Sequence, residues 1–287
     1  MTQFVREFLL AVQFFTRIPI TGALANWVGF SPGMLRASAG HFPGVGVLVG
    51  AVAAAVFGLL QAVLPETAFT PLVAAGLSTV ATVLLTGGFH EDGLADVADG
   101  LGGSDNKERA LDIMKDSRVG AFGAMALVLA LLCKVALLAI LGSVDNAPAA
   151  VDDATVSASL DGWLHGGYGA AALLAGHVVS RGLPLLLIYL LPHVGDTALS
   201  KSRPLADQIT PASLLVALLW CLGALALASL ALGAIDLIVA CSFAVLALLW
   251  MGRLFKRRLQ GFTGDCLGAT QQVCEIAFYL GLAVGLQ

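Results

Sequence analysis

Four acidic residues lie within a short stretch that directly follows a long apolar segment. The stretch is His90-Glu91-Asp92-Gly93-Leu94-Ala95-Asp96-Val97-Ala98-Asp99-Gly100, in a chain that is only 12% charged. At 3.6 residues per turn, Asp92, Asp96 and Asp99 fall within roughly 60° on one helical face. Such carboxylates repel unless a cation neutralises them, and their oxygens favour Mg²⁺, Mn²⁺ or Ca²⁺ over zinc. The stretch therefore predicts a metal site; the alternative is an acidic helix start that stabilises the helix dipole.

A second polar segment, Lys115-Asp116-Ser117-Arg118, leads into the next apolar run. Arginine presents a planar fork to two phosphate oxygens and lysine presents a mobile point charge, so this pair can bind a diphosphate. Asp116 suits a metal ligand or a partner that orients either cation. The segment is a candidate substrate-binding site, and the alternative is anchoring to anionic lipid.

Charged residues also occur inside apolar runs. Arg181 follows His177 by one helical turn, and Pro184 then favours a break in that helix. An intramembrane arginine is costly unless it faces a polar cavity, so Arg181 is a candidate substrate-binding residue, whereas His177 is more typical of a packing residue. Lys134 and Glu275 also lie within apolar runs and are expected to pair with each other.

The last polar segment contains Thr263-Gly264-Asp265-Cys266 before the final apolar run. Asp265 is a candidate substrate-binding residue at a helix N-terminus, where free backbone N–H groups can bind an anion. A simple helix cap is the alternative.

The composition places all these clusters in a membrane protein. Apolar residues make up 58% of the 287 residues, and the mean hydropathy is +0.90. A hydrocarbon layer of about 30 Å needs roughly 20 apolar residues in a helix. We therefore predict an all-α polytopic bundle with about seven spans, at residues 43–64, 70–89, 120–142, 167–192, 211–232, 235–252 and 267–286.

The distribution of basic residues predicts the orientation. Lysine and arginine are present in the connections at 86–119, 193–210 and 253–266 and absent from the alternate connections. Because basic residues accumulate on the cytoplasmic side, these three loops, the candidate site and the N-terminus are predicted to be cytoplasmic, with the C-terminus on the opposite side.

The chain is predicted to form a single integral-membrane domain over residues 1–287. Residues 1–40 form a cytoplasmic or interfacial segment, in which Phe4, Phe8, Val12 and Phe15 make one helical stripe. That stripe suits an interfacial helix or a helix packed on the bundle. Polar residues and Pro19 interrupt the run, so it is not a secretory signal. The cysteines lack zinc spacing, and no basic surface suits nucleic acid.

The motifs resemble the cobalamin synthase family over essentially the whole chain. They are Phe15-Thr16-Arg17-Ile18-Pro19, Gly87 to Gly100, Lys115 to Gly120, and Thr263 to Ala269. The combination of His-x-Asp-Gly-x-x-Asp-x-x-Asp-Gly with Lys-Asp-Ser-Arg is highly specific. One departure is Gln272, where the family tends to carry a nearby glutamate, and this weakens a role for the last span as a second ligand set.

The resemblance implies a bacterial inner-membrane enzyme, adenosylcobinamide-GDP ribazoletransferase. Such enzymes join α-ribazole or its 5′-phosphate to adenosylcobinamide-GDP, release GMP and need Mg²⁺. Membrane lipid is the surrounding partner, and association with other B12-assembly enzymes stays open.

Carried onto this chain, the resemblance gives each candidate residue a role. Asp92, Asp96 and Asp99 would hold Mg²⁺ against the diphosphate, with Asp92 essential to catalysis. Lys115, Arg118 and Arg181 would neutralise the leaving group. The group that removes the ribazole proton is left open between His90 and an aspartate outside the metal shell.

Two other classes of function remain as alternatives. A lipid-forming alcohol phosphotransferase also uses an acidic metal cluster, but Asp96 stands near where its usual pattern needs arginine. A cation-coupled transporter would explain Lys134, Arg181 and Glu275 within the spans. It would not explain why the polar motifs gather on one face.

Overall fold

The chain folds into a bundle of helices. The computed structural model describes residues 2–145, 167–195 and 209–286. These ranges contain no β-strand, and their one β-type pairing is an isolated bridge between His193 and Phe262. The all-α prediction is confirmed. The predicted loop at 193–210 and the connection at 143–166 fall largely outside the described residues.

Thirteen α-helices are described, and one short 3₁₀ turn, Ala39–His41, joins the third to the fourth. Their bounds are α1 Thr2–Phe15, α2 Gly22–Val28, α3 Pro32–Ser38, α4 Phe42–Val63, α5 Thr70–Thr86, α6 Phe89–Gly103, α7 Lys107–Met114, α8 Ala121–Val144, α9 Tyr168–Gly182, α10 Leu185–Leu190, α11 Pro211–Ala228, α12 Ala234–Arg258 and α13 Gly264–Gly285.

Six of the described segments are long and apolar enough to cross a membrane. They are Pro32–Val63, Ala121–Val144, Tyr168–Leu190, Pro211–Ala228, Ala234–Arg258 and Gly264–Gly285. Large apolar side chains such as Leu129 and Ile238 are exposed on these helices, as lipid contact requires. Helices α5 and α6 qualify as a seventh span only together, and they meet at 91°. The predicted number of spans is confirmed.

The sharp corner between α5 and α6 corrects the predicted span at 70–89. Gly87 and Gly88 adopt φ values of +74° and +71°, which side chains other than glycine rarely accept. The Arg17 backbone N–H donates to the Leu85 carbonyl at 2.7 Å, and the Arg17 side chain packs directly on Gly87. The N-terminal segment therefore holds this corner, and α6 leaves the direction of α5.

Helix α1 packs on the bundle. Phe4 and Phe8 stack on Trp220, with ring centroids 6.1 and 5.7 Å apart. Val12 is buried, and Phe15 stacks on Phe42 at 4.2 Å. Of the two interpretations of this stripe, the structure shows the packed helix.

A network of charged side chains joins three spans inside the bundle. The Lys134 ammonium lies 2.6 Å from a Glu275 carboxylate oxygen, which confirms the predicted pair. His177 and Tyr279 also contact the Glu275 carboxylate, at 3.5 and 3.1 Å. Every member is almost fully buried. Removing one partner of such a pair strands a buried charge, which typically costs about 3–5 kcal/mol.

Helices α12 and α13 pack closely at a glycine. A Cβ added to Gly281 of α13 would lie 2.6 Å from the Cα of Ala240 in α12, a backbone atom that cannot rotate away. A Cβ added to Gly223 of α11 would meet nothing within 4 Å.

We therefore predict that Gly281→Ala destabilises the protein, because α12 and α13 must separate. Overpacking of this kind costs about 1–3 kcal/mol. Thermal unfolding in detergent measures the change. Gly223→Ala is the matched control and should be neutral or stabilising by up to about 1 kcal/mol, since alanine favours a helix. Equal stability of the two variants would show that α12 and α13 leave room for a methyl group at this position.

Candidate active site

The acidic face of α6 packs against the start of α13. A Cβ on Gly93 would lie 2.8 Å from the Asp265 carbonyl oxygen, and one on Gly268 would lie 3.3 Å from the His90 Cα. A Cβ at Gly93 would clash with the α13 backbone, and one at Gly268 would make a tight contact, so glycine at these positions favours the close approach. Asp92 is exposed, and Asp96 and Asp265 are half-buried. The crossing brings together carboxylates from two segments that lie far apart in the sequence.

Asp96 is the carboxylate most affected by this crowding. Burial, followed by the negative charges of Asp265, Asp92 and Asp99, raises the pKa of Asp96 to about 7. Both causes disfavour the charged carboxylate, and the positive charge of a bound cation would offset their effect on the pKa. Asp265 lies far from Asp96 in the sequence, so spacing alone does not associate the two. Its charge is nevertheless the largest contribution to this pKa shift after burial.

Asp99 lies at the buried end of the acidic face and contacts the start of α8. Its carboxylate accepts hydrogen bonds from the backbone N–H groups of Gly120, at 2.7 Å, and Gly123, at 2.8 Å. These donors have no partner within a helix, so Asp99 serves as the cap of α8. A side chain on either glycine would collide with the carboxylate. Its assignment as a metal ligand stays a prediction.

The protein oxygens on this face suit a hard cation without forming a closed cage. Within the described ranges, no group of three or more His, Cys, Asp or Glu side chains is placed to hold a metal ion. Mg²⁺ is commonly held by one or two carboxylates together with substrate phosphates and water. Asp92 and Asp96, one helical turn apart beside Asp265, fit that arrangement.

Next to the acidic face lies an open cavity of about 490 Å³ lined by charged residues. Its polar lining comes from Asp99, Arg109, Asp112, Asp116 and Arg118. Asp99 therefore belongs to both the acidic face and this cavity. The predicted metal and phosphate segments are neighbours in space.

Arg118 and Asp116 form a tight pair in the cavity wall. An Arg118 Nη atom lies 2.5 Å from an Asp116 oxygen, and this hydrogen bond lowers the pKa of Asp116 to about 2. The Arg118 side chain is 87% exposed, so its remaining donors face solvent. Asp116 thus orients Arg118, one of the two roles predicted for it. Ser117, between them, is exposed.

Lys115 lies beside this pair at the end of α7. Its ammonium is 4.0 Å from Asp112, and half of its side chain is exposed. A long, partly exposed ammonium group can swing toward an anion that enters the cavity.

Arg181 is placed differently from Arg118. Its side chain is almost fully buried, and one Nη atom lies 3.0 Å from both the His177 Nδ1 and the His177 carbonyl oxygen. Its Nε atom has no hydrogen-bond partner. The structure thus brings Arg181 into the intramembrane network rather than into the wall of the charged cavity. Its predicted contact with substrate stays a prediction.

His90 is buried at the crossing, on the side of α6 that faces the bundle. Its ring stacks on Phe42 with centroids 5.5 Å apart and an interplanar angle of 12°. Its Nε2 atom is buried and has no hydrogen-bond partner.

The start of α13 corrects the interpretation of Asp265 as a simple cap. The capping residue is Thr263, whose hydroxyl oxygen accepts from the Cys266 N–H at 3.4 Å. Asp265 lies inside the first turn, and its carboxylate accepts from the Thr263 hydroxyl at 3.4 Å while lying close to Asp92 and Asp96.

Two supporting contacts were not predicted. Gln272 donates to Glu91 at 3.0 Å, linking α13 to the residue beside Asp92. Arg258 donates to the carbonyl oxygens of Leu101 and Ser104 and fixes the end of α6. The cluster of basic residues before the last span could have identified Arg258 from the sequence. No local pattern identifies Glu91 as the partner of Gln272.

Comparison with known proteins agrees with the resemblance seen in the motifs. The profile of the cobalamin-5-phosphate synthase family matches residues 7–283. No solved structure matches the chain.

Curated relatives match over their full length. The adenosylcobinamide-GDP ribazoletransferase of a Polaromonas species is 76% identical over 285 residues, covering 99% of each chain. Proteins of the same name from Polaromonas naphthalenivorans and Albidiferax ferrireducens are 73% and 63% identical and cover 100% of each chain. The motifs, the membrane fold and these matches agree, and the chain belongs to the cobalamin-5-phosphate synthase family.

Proposed function

We propose that this chain is an adenosylcobinamide-GDP ribazoletransferase, which joins adenosylcobinamide-GDP to α-ribazole or its 5′-phosphate. A ribazole hydroxyl oxygen attacks the phosphorus that bears the cobinamide arm. The bond from that phosphorus to the GMP phosphate oxygen breaks, GMP leaves, and the hydroxyl proton is released. The observation that carries this proposal is the acidic α6–α13 crossing, which lies beside a cavity lined by two arginines and three aspartates, in a chain of this family.

Mg²⁺ is the proposed metal, held by Asp92 and Asp96 with Asp265 beside them. When bound, the ion supplies charge neutralisation at the diphosphate. The clustered carboxylates and the raised pKa of Asp96 support this assignment. Asp99 supports the site by joining α6 to the start of α8.

The basic residues of the cavity are proposed to hold the departing phosphate. Asp116 fixes the Arg118 guanidinium, which leaves its outer donors for phosphate oxygens. Lys115 adds a mobile positive charge. Positioning and electrostatic stabilisation dominate phosphoryl transfer, so such residues contribute most where negative charge builds on the leaving oxygen.

The site is proposed to face the cytoplasm from a bacterial inner membrane. Arg258 contacts the end of α6, and Lys107 contacts Gln260, so two basic segments lie at the same end of the bundle as the site. Asp145 caps the start of α9 at the other end, where no basic residue is described. This asymmetry supports the cytoplasmic orientation. Association with other B12-assembly enzymes stays a prediction.

The charged residues within the spans no longer favour a transporter. Lys134 and Glu275 pair with each other, and Arg181 is held by His177. Internal pairing accounts for these charges without a transport path.

Replacing Asp92 with asparagine is predicted to reduce activity by at least about a hundredfold, because a metal at the diphosphate contributes several kcal/mol to the transition state. The rate of GMP release by the purified protein measures this. Glu108→Gln is the matched control, since it removes one exposed carboxylate from the neighbouring helix α7, and it should retain activity. A fully active Asp92→Asn protein would remove Asp92 from the metal site.

Replacing Lys115 with alanine is predicted to raise KM for adenosylcobinamide-GDP about tenfold, because a charge-assisted contact to phosphate is lost. KM for α-ribazole should stay within about twofold. Lys256→Ala removes an exposed positive charge at the end of α12, away from the Arg118–Asp116 pair, and is the control. Equal changes in both KM values would contradict the phosphate role of Lys115.

A further inference from the structure

A second pocket lies on the other side of the α6–α13 crossing and differs in character from the charged cavity. It is bounded by α1, α4, α6, α10 and α13 and is almost entirely apolar. Phenylalanines dominate its walls, contributed by three helices: Phe14, Phe15, Phe42 and Phe89. The residues of the proposed metal and phosphate sites do not line it.

The aromatic rings of this pocket form a continuous set. Phe15 stacks on Phe42 at 4.2 Å, and Phe42 stacks on the His90 ring. Phe89 meets Phe15 edge to face at 6.2 Å. Walls of this kind suit a flat aromatic guest, because ring pairs gain from stacked and edge contacts in addition to burial.

His90 is the one wall residue with a titratable side chain, and its Nε2 atom is buried without a partner. Buried polar atoms in native proteins nearly always have a hydrogen-bond partner. An unpaired imidazole nitrogen on a residue that lines an apolar pocket is available to a ligand that enters the pocket. A ligand that matches both features is aromatic and carries a hydrogen-bonding ring atom.

The pocket is joined to the acidic cluster through the backbone. Gly264 lines the pocket and precedes Asp265, and His90 lines it two residues before Asp92. A substituent on a guest ring would reach the carboxylates by passing the edge of the α6–α13 crossing at Gly264, which immediately precedes Asp265.

We infer that this pocket binds the benzimidazole base of α-ribazole and that His90 recognises the base through its free ring nitrogen. This inference rests on the proposed function, which supplies α-ribazole as the substrate. The planar base enters among the phenylalanines, and the ribose extends past Gly264 toward Asp92 and the diphosphate. The neutral His90 Nε2–H donates to the base nitrogen that is not bonded to ribose. His90 is then a specificity-determining residue.

The pocket must widen to accept the base. Its free volume is about 40 Å³, which is smaller than a benzimidazole ring system. Phe89 is 41% exposed and meets Phe14, Phe15 and His90 by edge contacts, so its ring can swing outward at the cost of those contacts. We expect the aromatic walls to close on the base after it enters.

The first test measures binding of radiolabelled α-ribazole to the full-length protein in detergent by equilibrium dialysis. Leu267→Phe adds bulk to the pocket wall, and Leu280→Phe makes the same change on the lipid-facing side of the same helix. We expect Leu267→Phe to weaken binding at least about tenfold and Leu280→Phe to leave it unchanged. Equal binding by both variants would overturn the pocket assignment. This experiment measures binding without turnover, so its result does not depend on whether the protein catalyses the proposed transfer.

The second test compares α-ribazole with an indole riboside, in which carbon replaces the free ring nitrogen. The wild-type protein should bind α-ribazole at least about tenfold more tightly, since the analogue leaves His90 unpaired. His90→Phe should lose this preference while its affinity for adenosylcobinamide-GDP is unchanged. A wild-type protein without the preference, or a His90→Phe variant that keeps it, would overturn the role of His90.

Discussion

The close approach of α6 to α13 is the constraint on which the candidate site depends. Gly93 and Gly268 let two backbones meet, and this contact places Asp265 beside Asp92 and Asp96. The same crossing separates two environments. Carboxylates and the charged cavity lie on one side, and an aromatic pocket that includes His90 lies on the other. The proposed substrate α-ribazole has an apolar base and a hydroxyl that must reach a diphosphate. These two parts match the two environments.

The intramembrane charges hold this crossing in place. Glu275 accepts from Gln271 at 2.6 Å, and Gln272, which follows Gln271, donates to Glu91 beside Asp92. Lys134 neutralises Glu275 from α8, the helix that Asp99 caps. Three spans and α6 are therefore connected by hydrogen bonds and ion pairs that lipid cannot replace. Residues that suggested transport in the sequence instead support the site.

Local features of the fold were predictable, whereas contacts between distant segments were not. The spacing of Asp92, Asp96 and Asp99 identifies a helical face, and a membrane-buried Lys134 requires a partner such as Glu275. The corner at Gly87 depends on Arg17, which lies 70 positions earlier in the sequence. The hydrogen bonds that Asp99 accepts come from residues 21 and 24 positions later. Long-range packing decides such pairings, so a periodicity argument cannot find them.

We propose that a metal held at the α6–α13 crossing promotes transfer of ribazole to the cobinamide phosphate. The most direct measurement supplies adenosylcobinamide-GDP, α-ribazole and Mg²⁺ to the purified protein in liposomes and follows GMP and the corrinoid product together. We expect equal amounts of both products, loss of both with a chelator, and recovery when Mg²⁺ is restored. A folded protein that forms neither product, or forms both in the presence of chelator, would contradict it.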